Sequence, residues 1–484
     1  MRENIKYNVF TGIILLLIAL FKIYLIDITF FWDNIACLSR PACFFYENHL
    51  QTLIYSGTLD NGDPHVIPYF LAIIWTLFGK SLLVSHLAFL AIVIGAAYQI
   101  ILFCKKVLAP IDQKNGFIAF SFGLLLVLSD PTVLTQLLLL GIDLWVIFFA
   151  IFCLNQILAD KKAGLPIAFI GLCLTNRRGM IIAATLMIAY VIKIFLLEKR
   201  PFSVKEFIKV IAPILPACFT VFVYLFFRFY YHGWVFSDPS SVWASTSEFV
   251  DFHGFIRNIA VFIWRNLDFG RIGLWVILLF MFIKFGYKCL FNSETSFLWI
   301  CYFLLQFSFA LVTLALKNPF GARYFTVQFI LLSIIVAKLL FDLFGKKYAK
   351  IISSALIIVL ASGNLWLYPE KISQNWDCTL KHLPFYSFRK ECFDYMEKHN
   401  IPYDQTASGF SLYGDQKLID LIEENRNISS QITEDTKFFL YSNISNLNDE
   451  LIDEFHNPEK WTKITAFEKG GIFIHVLKKN EGQK

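Results

Sequence analysis

The chain has 484 residues, of which 57% are hydrophobic and 17% charged, with 53 phenylalanines and a formal net charge of +6. A soluble domain is about 45–50% apolar and about 25% charged, so this composition excludes an ordinary soluble enzyme and places most of the chain in lipid. The basic residues lie in short segments between apolar runs; they report orientation in a membrane, not nucleic-acid binding.

Apolar runs of about 20 residues, long enough to cross a bilayer, recur from residue 9 to residue 367. They predict about eleven crossings, near 9–31, 81–103, 115–129, 137–158, 164–176, 178–197, 207–230, 272–291, 295–316, 323–344 and 348–367. The first run closes on Phe30, Phe31 and Trp32, side chains that favour the headgroup level, and Asp33 follows at once in "TFFWDNIACLSRPACFFYENH". The stretch "HVIPYFLAIIWTLFG" is short, contains Pro68 and reads as a helix lying along the interface. Basic clusters at Lys105/Lys106, Lys161/Lys162, Lys199/Arg200 and Lys346/Lys347 fall on one side if the N-terminus is cytoplasmic. The loops 32–80 and 231–271 and the tail 368–484 are then extracytoplasmic. Cys37 and Cys43 in the first loop, and Cys378 and Cys392 in the tail, have the placement of disulfide partners in an oxidising compartment; spacing alone does not establish either pair. In the tail, 388–399 has helical spacing, "KFFLYSN" reads as a buried strand, and "WTKITAFEKGGIFIHVLKK" reads as a hairpin about a Gly-Gly turn.

Several charged residues stand out against this apolar background. Asp33 reads either as a solvated helix-end acid or as a reactive one. Asp143 interrupts "VLTQLLLLGIDLWVIFFAIFCLNQILA". Counted back from Ala159 at about 1.5 Å per residue, it stands about 24 Å up a helix, in the outer part of a core roughly 30 Å thick. An acid at that depth needs a watered cavity or a partner. In "LCLTNRRGMIIAA", Arg177 and Arg178 form a break between two apolar helices on the outer side. Paired guanidiniums suit a phosphate, the bland reading being an anchor to lipid headgroups. Lys317, Arg323 and Tyr324 flank a Pro/Gly turn in "LKNPFGARYFTVQ". Glu47, Asp63 and His65 are weaker candidates in the first outer loop; His65 lacks the His/Cys spacing of a zinc site. Acids at bilayer depth beside cations suit group transfer from a membrane-bound phospholipid carrier. One carboxylate would take the acceptor's proton, and the cations would stabilise the departing phosphate.

The order of these features resembles the GT-C class of membrane glycosyltransferases, which includes protein O-mannosyltransferases and bacterial lipid A aminoarabinose transferases. The resemblance rests on Asp33 after the first helix, "DPHVIPYFLAIIWTLFGKSLLVSHLAFL", Asp143 in "LLGIDLW", "LTNRRG", and Arg323-Tyr324 opening a late helix, and it covers about residues 1–345. It implies an α-helical polytopic membrane fold with interfacial helices: a catalytic domain over 1–367 and a small extracytoplasmic α/β domain over 368–484. It further implies Asp33 as the main catalytic carboxylate, Asp143 as a second acid, and Arg177, Arg178, Arg323 and Tyr324 at the donor phosphate. Glu47, Asp63 and His65 remain candidates for an acceptor or loop site. The implied donor is a polyprenyl-phosphate-linked sugar in a membrane lipid environment, transferred with inversion to an extracytoplasmic glycan, lipid or protein. Some members use a divalent metal; no ligand set stands out here, so no cofactor is expected to be obligatory. The chain departs from the family in having Asp33-Asn34 where Asp-Glu is common, and Val66-Ile67 between His65 and Pro68. The alternative is a transporter or flippase of a lipid-linked saccharide, which typically shows repeated halves with matching broken helices; no such repeat is visible.

Overall fold

A computed structural model describes residues 2–55, 60–111, 116–235, 241, 243–292, 294–317, 320–422 and 426–480. In chain order the helices begin with α1 (Arg2–Tyr24), α2 (Arg40–Glu47), α3 (Val66–Phe78), α4 (Leu82–Leu108), α5 (Gly116–Ser129), α6 (Pro131–Leu138) and α7 (Asp143–Leu158). Next come α8 (Leu165–Thr175), α9 (Arg177–Ile192), α10 (Val204–Ile211), α11 (Leu215–His232), α12 (Phe252–Leu267) and α13 (Ile272–Phe285). A single turn, α14 (Tyr287–Leu290), leads to α15 (Ser296–Thr313), α16 (Thr326–Leu343), α17 (Lys346–Ser362), α18 (Pro384–Lys398) and α19 (Asp449–Phe455).

Among the described residues seven helices are long and apolar enough to cross a bilayer, or nine if each of two bent pairs counts as one span. The sequence pattern gives about eleven; the other two expected crossings are α7 and α8, apolar helices present here but shorter than a full span. The predicted span 137–158 divides into the end of α6, a turn at 139–142, and α7. Asp143 therefore opens a helix where an interruption of one was expected. Gly141 lies in that turn, where an added Cβ would meet the Asn34 side-chain amide at 3.0 Å. The first helix stops at Tyr24, short of the expected residue 31, and 25–31 is an irregular connector. The segment 231–271 contains α12, which carries exposed Phe252, Ile256, Ile263 and Trp264.

Helix α16 is the axis of the bundle, with 94% of its span window buried. The two bent pairs, α5/α6 at 73° and α12/α13 at 86°, are tied to each other at their breaks. Asp130 caps α6 by accepting from Thr132 N at 2.9 Å and Val133 N at 3.2 Å. Its carboxylate also takes two donors from Arg271, at 2.7 and 3.2 Å. The remaining guanidinium protons reach Thr132 Oγ1 and the carbonyls of Arg265 and Asp268, and the Phe329 ring stacks 3.6 Å away. Both charged side chains are wholly buried, so full satisfaction is what makes the pair tolerable. Gly270 (φ +85°) completes the second break, where a Cβ would stand 2.3 Å from Val359 O.

The tail forms a four-stranded sheet of order β1-β4-β6-β5, made from β1 (Thr406–Ser408), β4 (Phe438–Ser442), β5 (Trp461–Lys469) and β6 (Ile472–Lys479). β1 pairs in parallel with β4, and the other pairings are antiparallel. Two short strands, β2 (Gly414–Asp415) and β3 (Asn427–Ile428), pair apart from it. The hairpin turns at Gly470 and Gly471, both at positive φ, as the Gly-Gly signal implied. One apolar cluster fastens this part to the helices: Leu25, Ile28, Phe31, Leu138 and Leu139 pack with Trp376, Phe385, Phe388 and Ile474. The two cysteine pairings that the sequence left open do not form; all ten cysteines are free. Cys37 accepts from Asn61 Nδ2 at 3.1 Å, Cys378 donates to Asp377 Oδ1 at 3.4 Å, and Cys43 and Cys392 are buried in separate apolar clusters.

Replacing Arg271 by Ala leaves Asp130 charged and buried without its partner. It is expected to cost about 3–5 kcal/mol, read as a fall in the thermal unfolding midpoint in detergent. An unchanged midpoint would contradict the role assigned to this pair.

Candidate active site

Five separate segments supply the site. Residue 32 adopts a left-handed backbone (φ 57°), a conformation costing about 1–2 kcal/mol for a side chain other than glycine. It is held there because Phe31 stacks flat on His382 (4.4 Å, 8°), Trp32 packs edge-on against Phe410 (4.7 Å), and Phe30 N donates to Ile419 O. The next residue, Asp33, is thereby aimed into the bundle. Asp143 lies in the first turn of α7, where the exposed N–H groups and helix dipole favour a carboxylate. Asn176 caps α9 through Gly179 N at 2.8 Å, and Arg178 follows it. Only glycine fits at 179, since a Cβ would stand 2.1 Å from Leu172 O. Arg323 sits in the short turn Ala322–Phe325 ahead of α16, and Asp377 in the turn Trp376–Cys378; Asn375 Oδ1 links the two turns by accepting from Ala322 N at 3.2 Å.

These segments converge on Arg323. Its Nη2 bonds Asp33 Oδ2, its Nη1 bonds Asp377 Oδ2, and its Nε lies 3.5 Å from Asp143 Oδ2. Asp143 also holds Arg178, at 2.7 and 3.3 Å, and the Arg178 guanidinium rests 4.3 Å over the Tyr324 ring. Three carboxylates thus face two guanidiniums. Arg323, Asp143 and Asp377 are under 10% exposed, whereas the Asp33 side chain is 29% exposed. Asp33 Oδ2 is taken by Arg323; among the described residues no hydrogen bond reaches Oδ1. A polar cavity of about 490 Å³ opens on Asp33, Arg323, Tyr324 and Asp377.

The other sequence candidates lie nearby or elsewhere. Asp63 accepts from the Arg177 backbone N at 3.0 Å and from its Nε at 3.3 Å, so it fastens the start of α9 beside the cluster. His65 stands 3.4 Å from Asp60, which also holds Arg228. Burial pushes the Asp60 carboxyl up, but the His65 hydrogen bond and the His65 and Arg228 charges outweigh it and hold the group below the usual carboxylate range. That trio lines a second cavity of about 820 Å³ walled by Phe44, Leu53, Tyr224, Phe227 and Tyr231. Glu47 is not brought to either group; its neighbour is Lys417, 3.9 Å away. Lys317 pairs with Glu248 at 2.6 Å on the cavity rim. Asp377 escaped sequence reasoning, because "SQNWDCTLKHL" is a polar stretch with no periodic signal of burial.

His382, which stacks on Phe31 two residues before Asp33, is wholly buried and neutral: its Nδ1 donates to Thr379 O at 2.5 Å and its Nε2 accepts from Tyr386 at 3.2 Å. Burial pushes its pKa from 6.5 down to about 4. Because the unfolded chain binds the proton more readily, this contribution is intact above pH 6.5 and is lost as pH falls towards 4. The loss amounts to about 3 kcal/mol at its fullest. The thermal midpoint should fall more between pH 7.5 and 5 for wild type than for His382→Gln; equal falls would contradict the linkage.

No protein-family model and no curated protein matches the sequence. Among solved structures the chain is similar to ArnT from Cupriavidus metallidurans, crystallised bound to undecaprenyl phosphate. The TM-score is 0.50 and the identity 10%, over 97% of this chain and 98% of that one. At that identity the likeness concerns the fold: this is a multi-pass membrane protein of ArnT-like architecture, in keeping with the GT-C resemblance of its sequence.

Proposed function

We propose that the protein is an integral membrane glycosyltransferase that moves a sugar from a polyprenyl-phosphate carrier to an extracytoplasmic glycan, lipid or protein. The observation that carries this reading is Asp33: one carboxylate oxygen is fixed by Arg323, the other has no hydrogen bond among the described residues, and the partly exposed side chain lines a cavity. In the proposed step Asp33 Oδ1 takes the proton of the acceptor hydroxyl. The acceptor oxygen then bonds to the anomeric carbon, the bond from that carbon to the phosphate oxygen breaks, and polyprenyl phosphate leaves with the electron pair. A single displacement of this kind inverts the anomeric centre.

The arginines take different parts. Arg323, with all three of its directions committed to carboxylates, keeps Asp33 and Asp143 charged and oriented. Arg177 and Arg178, with side chains 38% and 21% exposed, are better placed to meet the donor phosphate as charge builds there. The larger cavity adjoins Arg177 through Asp63, whose carbonyl accepts from the wall residue Tyr224, and its aromatic rings offer a polyprenyl chain an apolar wall. The positive charge comes from side chains, and no metal is given an obligatory role. The basic clusters orient the site and the tail to the extracytoplasmic face, with the catalytic part over 1–367 and the α/β part over 368–484. That ArnT was crystallised with undecaprenyl phosphate supports the choice of carrier. The broken helices that a flippase would move are here locked together by the buried Asp130–Arg271 pair, which favours the transferase.

Purified protein incubated with radiolabelled polyprenyl-phosphate sugars and membrane extract should transfer label. Asp33→Asn should lower the rate by about 10²–10⁴-fold, whereas Glu47→Gln should stay within about twofold of wild type, as surface substitutions away from such features usually do. Equal turnover by Asp33→Asn and wild type would remove Asp33 from the mechanism. Arg178→Ala should weaken donor binding by about tenfold or more and acceptor binding less; unaltered donor affinity would count against the phosphate role.

A further inference from the structure

The polar cavity beside Asp33 carries more donors than its own walls can use. On α12, Asn258, Val261 and Arg265 recur on one face, with Arg257 next to them, and all four line the cavity. Arg257 is exposed and forms no ion pair among the described residues, where it makes only a 3.5 Å contact with Asn258 Oδ1. Arg265 reaches its nearest carboxylate, Asp268, only at 3.9 Å. Its Nε is buried without a hydrogen-bond partner among the described residues. Across the cavity Asn375, 8% exposed, has its Nδ2 buried and unpartnered as well. The acids lining the same space, Asp33 and Asp377, are both turned to Arg323. Beside the Asp33 oxygen reserved for the acceptor hydroxyl, what is left over is two guanidiniums and an amide, every one a hydrogen-bond donor. The walls also hold Trp32, Trp243 and Phe410, whose rings offer the apolar faces on which sugar rings lie.

We infer that the acceptor is an anionic saccharide, with its acidic group held by Arg257 and Arg265 and its rings against the cavity aromatics. The inference rests on the transferase reading and names its acceptor class. The two arginines are eight residues apart, about 12 Å along the helix, and line the same cavity as Asp33. The tail contributes Asn375 and Phe410 to this cavity, which makes it a determinant of acceptor choice as well as a covering domain.

Calorimetry on the full-length protein in detergent at low salt tests this with four probes: tri-galacturonic acid, glucose 6-phosphate, maltotriose and inorganic phosphate. At least one of the two acidic sugars should bind about tenfold or more tightly than maltotriose and than inorganic phosphate, and which of them does so tells a carboxylate from a phosphate. Arg257→Gln and Arg265→Gln should each weaken that binding about tenfold, with Arg257→Lys in between. Arg257 is exposed, so its replacement leaves the fold intact. Equal binding of acidic and neutral sugars, binding of inorganic phosphate as tight as that of the sugars, binding of none, or unchanged affinity in Arg257→Gln overturns the inference. Transfer of label to the same sugars separates the two readings. Asp33-dependent transfer to maltotriose without preference for an acidic sugar sinks the inference alone. Arginine-dependent binding of an acidic sugar with no transfer from any labelled donor sinks the transferase reading instead.

Discussion

The Arg323 guanidinium, shared among carboxylates from positions 33, 143 and 377, is where the chain is drawn together. A planar fork with donors in three directions can hold three acids, provided each arrives from its own side. Burying these charges is costly unless their partners are fixed in place. The segments that bring them are accordingly rigid: a connector pinned by Phe31 on His382, the opening turn of α7, and a turn joined through Asn375 to the start of α16. None of these segments neighbours another in sequence, so the site exists only in the folded molecule.

The scaffold supports this by ending helices early. A helix that spans the bilayer has both termini in water; α7 and α8 are too short for that, and α6 and α12 bend away at their breaks. Helix N-termini are thereby placed where acids and anions are needed. Asp143 uses the one at α7, and Arg177 and Arg178 stand at the one of α9, held by Asp63 and Asp143 with part of each side chain exposed. The Asp130–Arg271 pair holds the breaks open. It does so with every guanidinium donor satisfied, which is why a full charge pair survives in the middle of an apolar bundle.

Much of this was legible in the residues. Asp143 and Arg178 stood out because ionisable groups in apolar runs need partners, and the structure makes them partners of each other. Arg323 and Asp33 were legible by their positions at helix ends. The Gly-Gly hairpin and the strand at 438–442 were legible from local pattern. What stayed hidden depends on contacts distant in sequence. Asp377 is buried against Arg323, 54 positions away, and against Gln136 of α6, 241 positions away. The break at 139–142 hides in a run of leucines with a single glycine to mark it, whereas the one at 176 carried a sign in Asn-Arg-Arg-Gly, a capping residue three positions ahead of a glycine. The cysteine pairs were suggested by compartment alone, and packing sends each thiol to a different neighbour.

The most direct examination is an electron cryomicroscopy map of the purified protein with undecaprenyl phosphate bound. The phosphate should lie within hydrogen-bond distance, about 3 Å, of Arg177 or Arg178, with Asp33, Asp143 and Asp377 still gathered on Arg323 and Asp33 Oδ1 facing it from the polar cavity. A phosphate bound on another surface of the molecule, or a map in which Asp33 and Asp143 stand apart from Arg323, would contradict a single transfer site at this cluster.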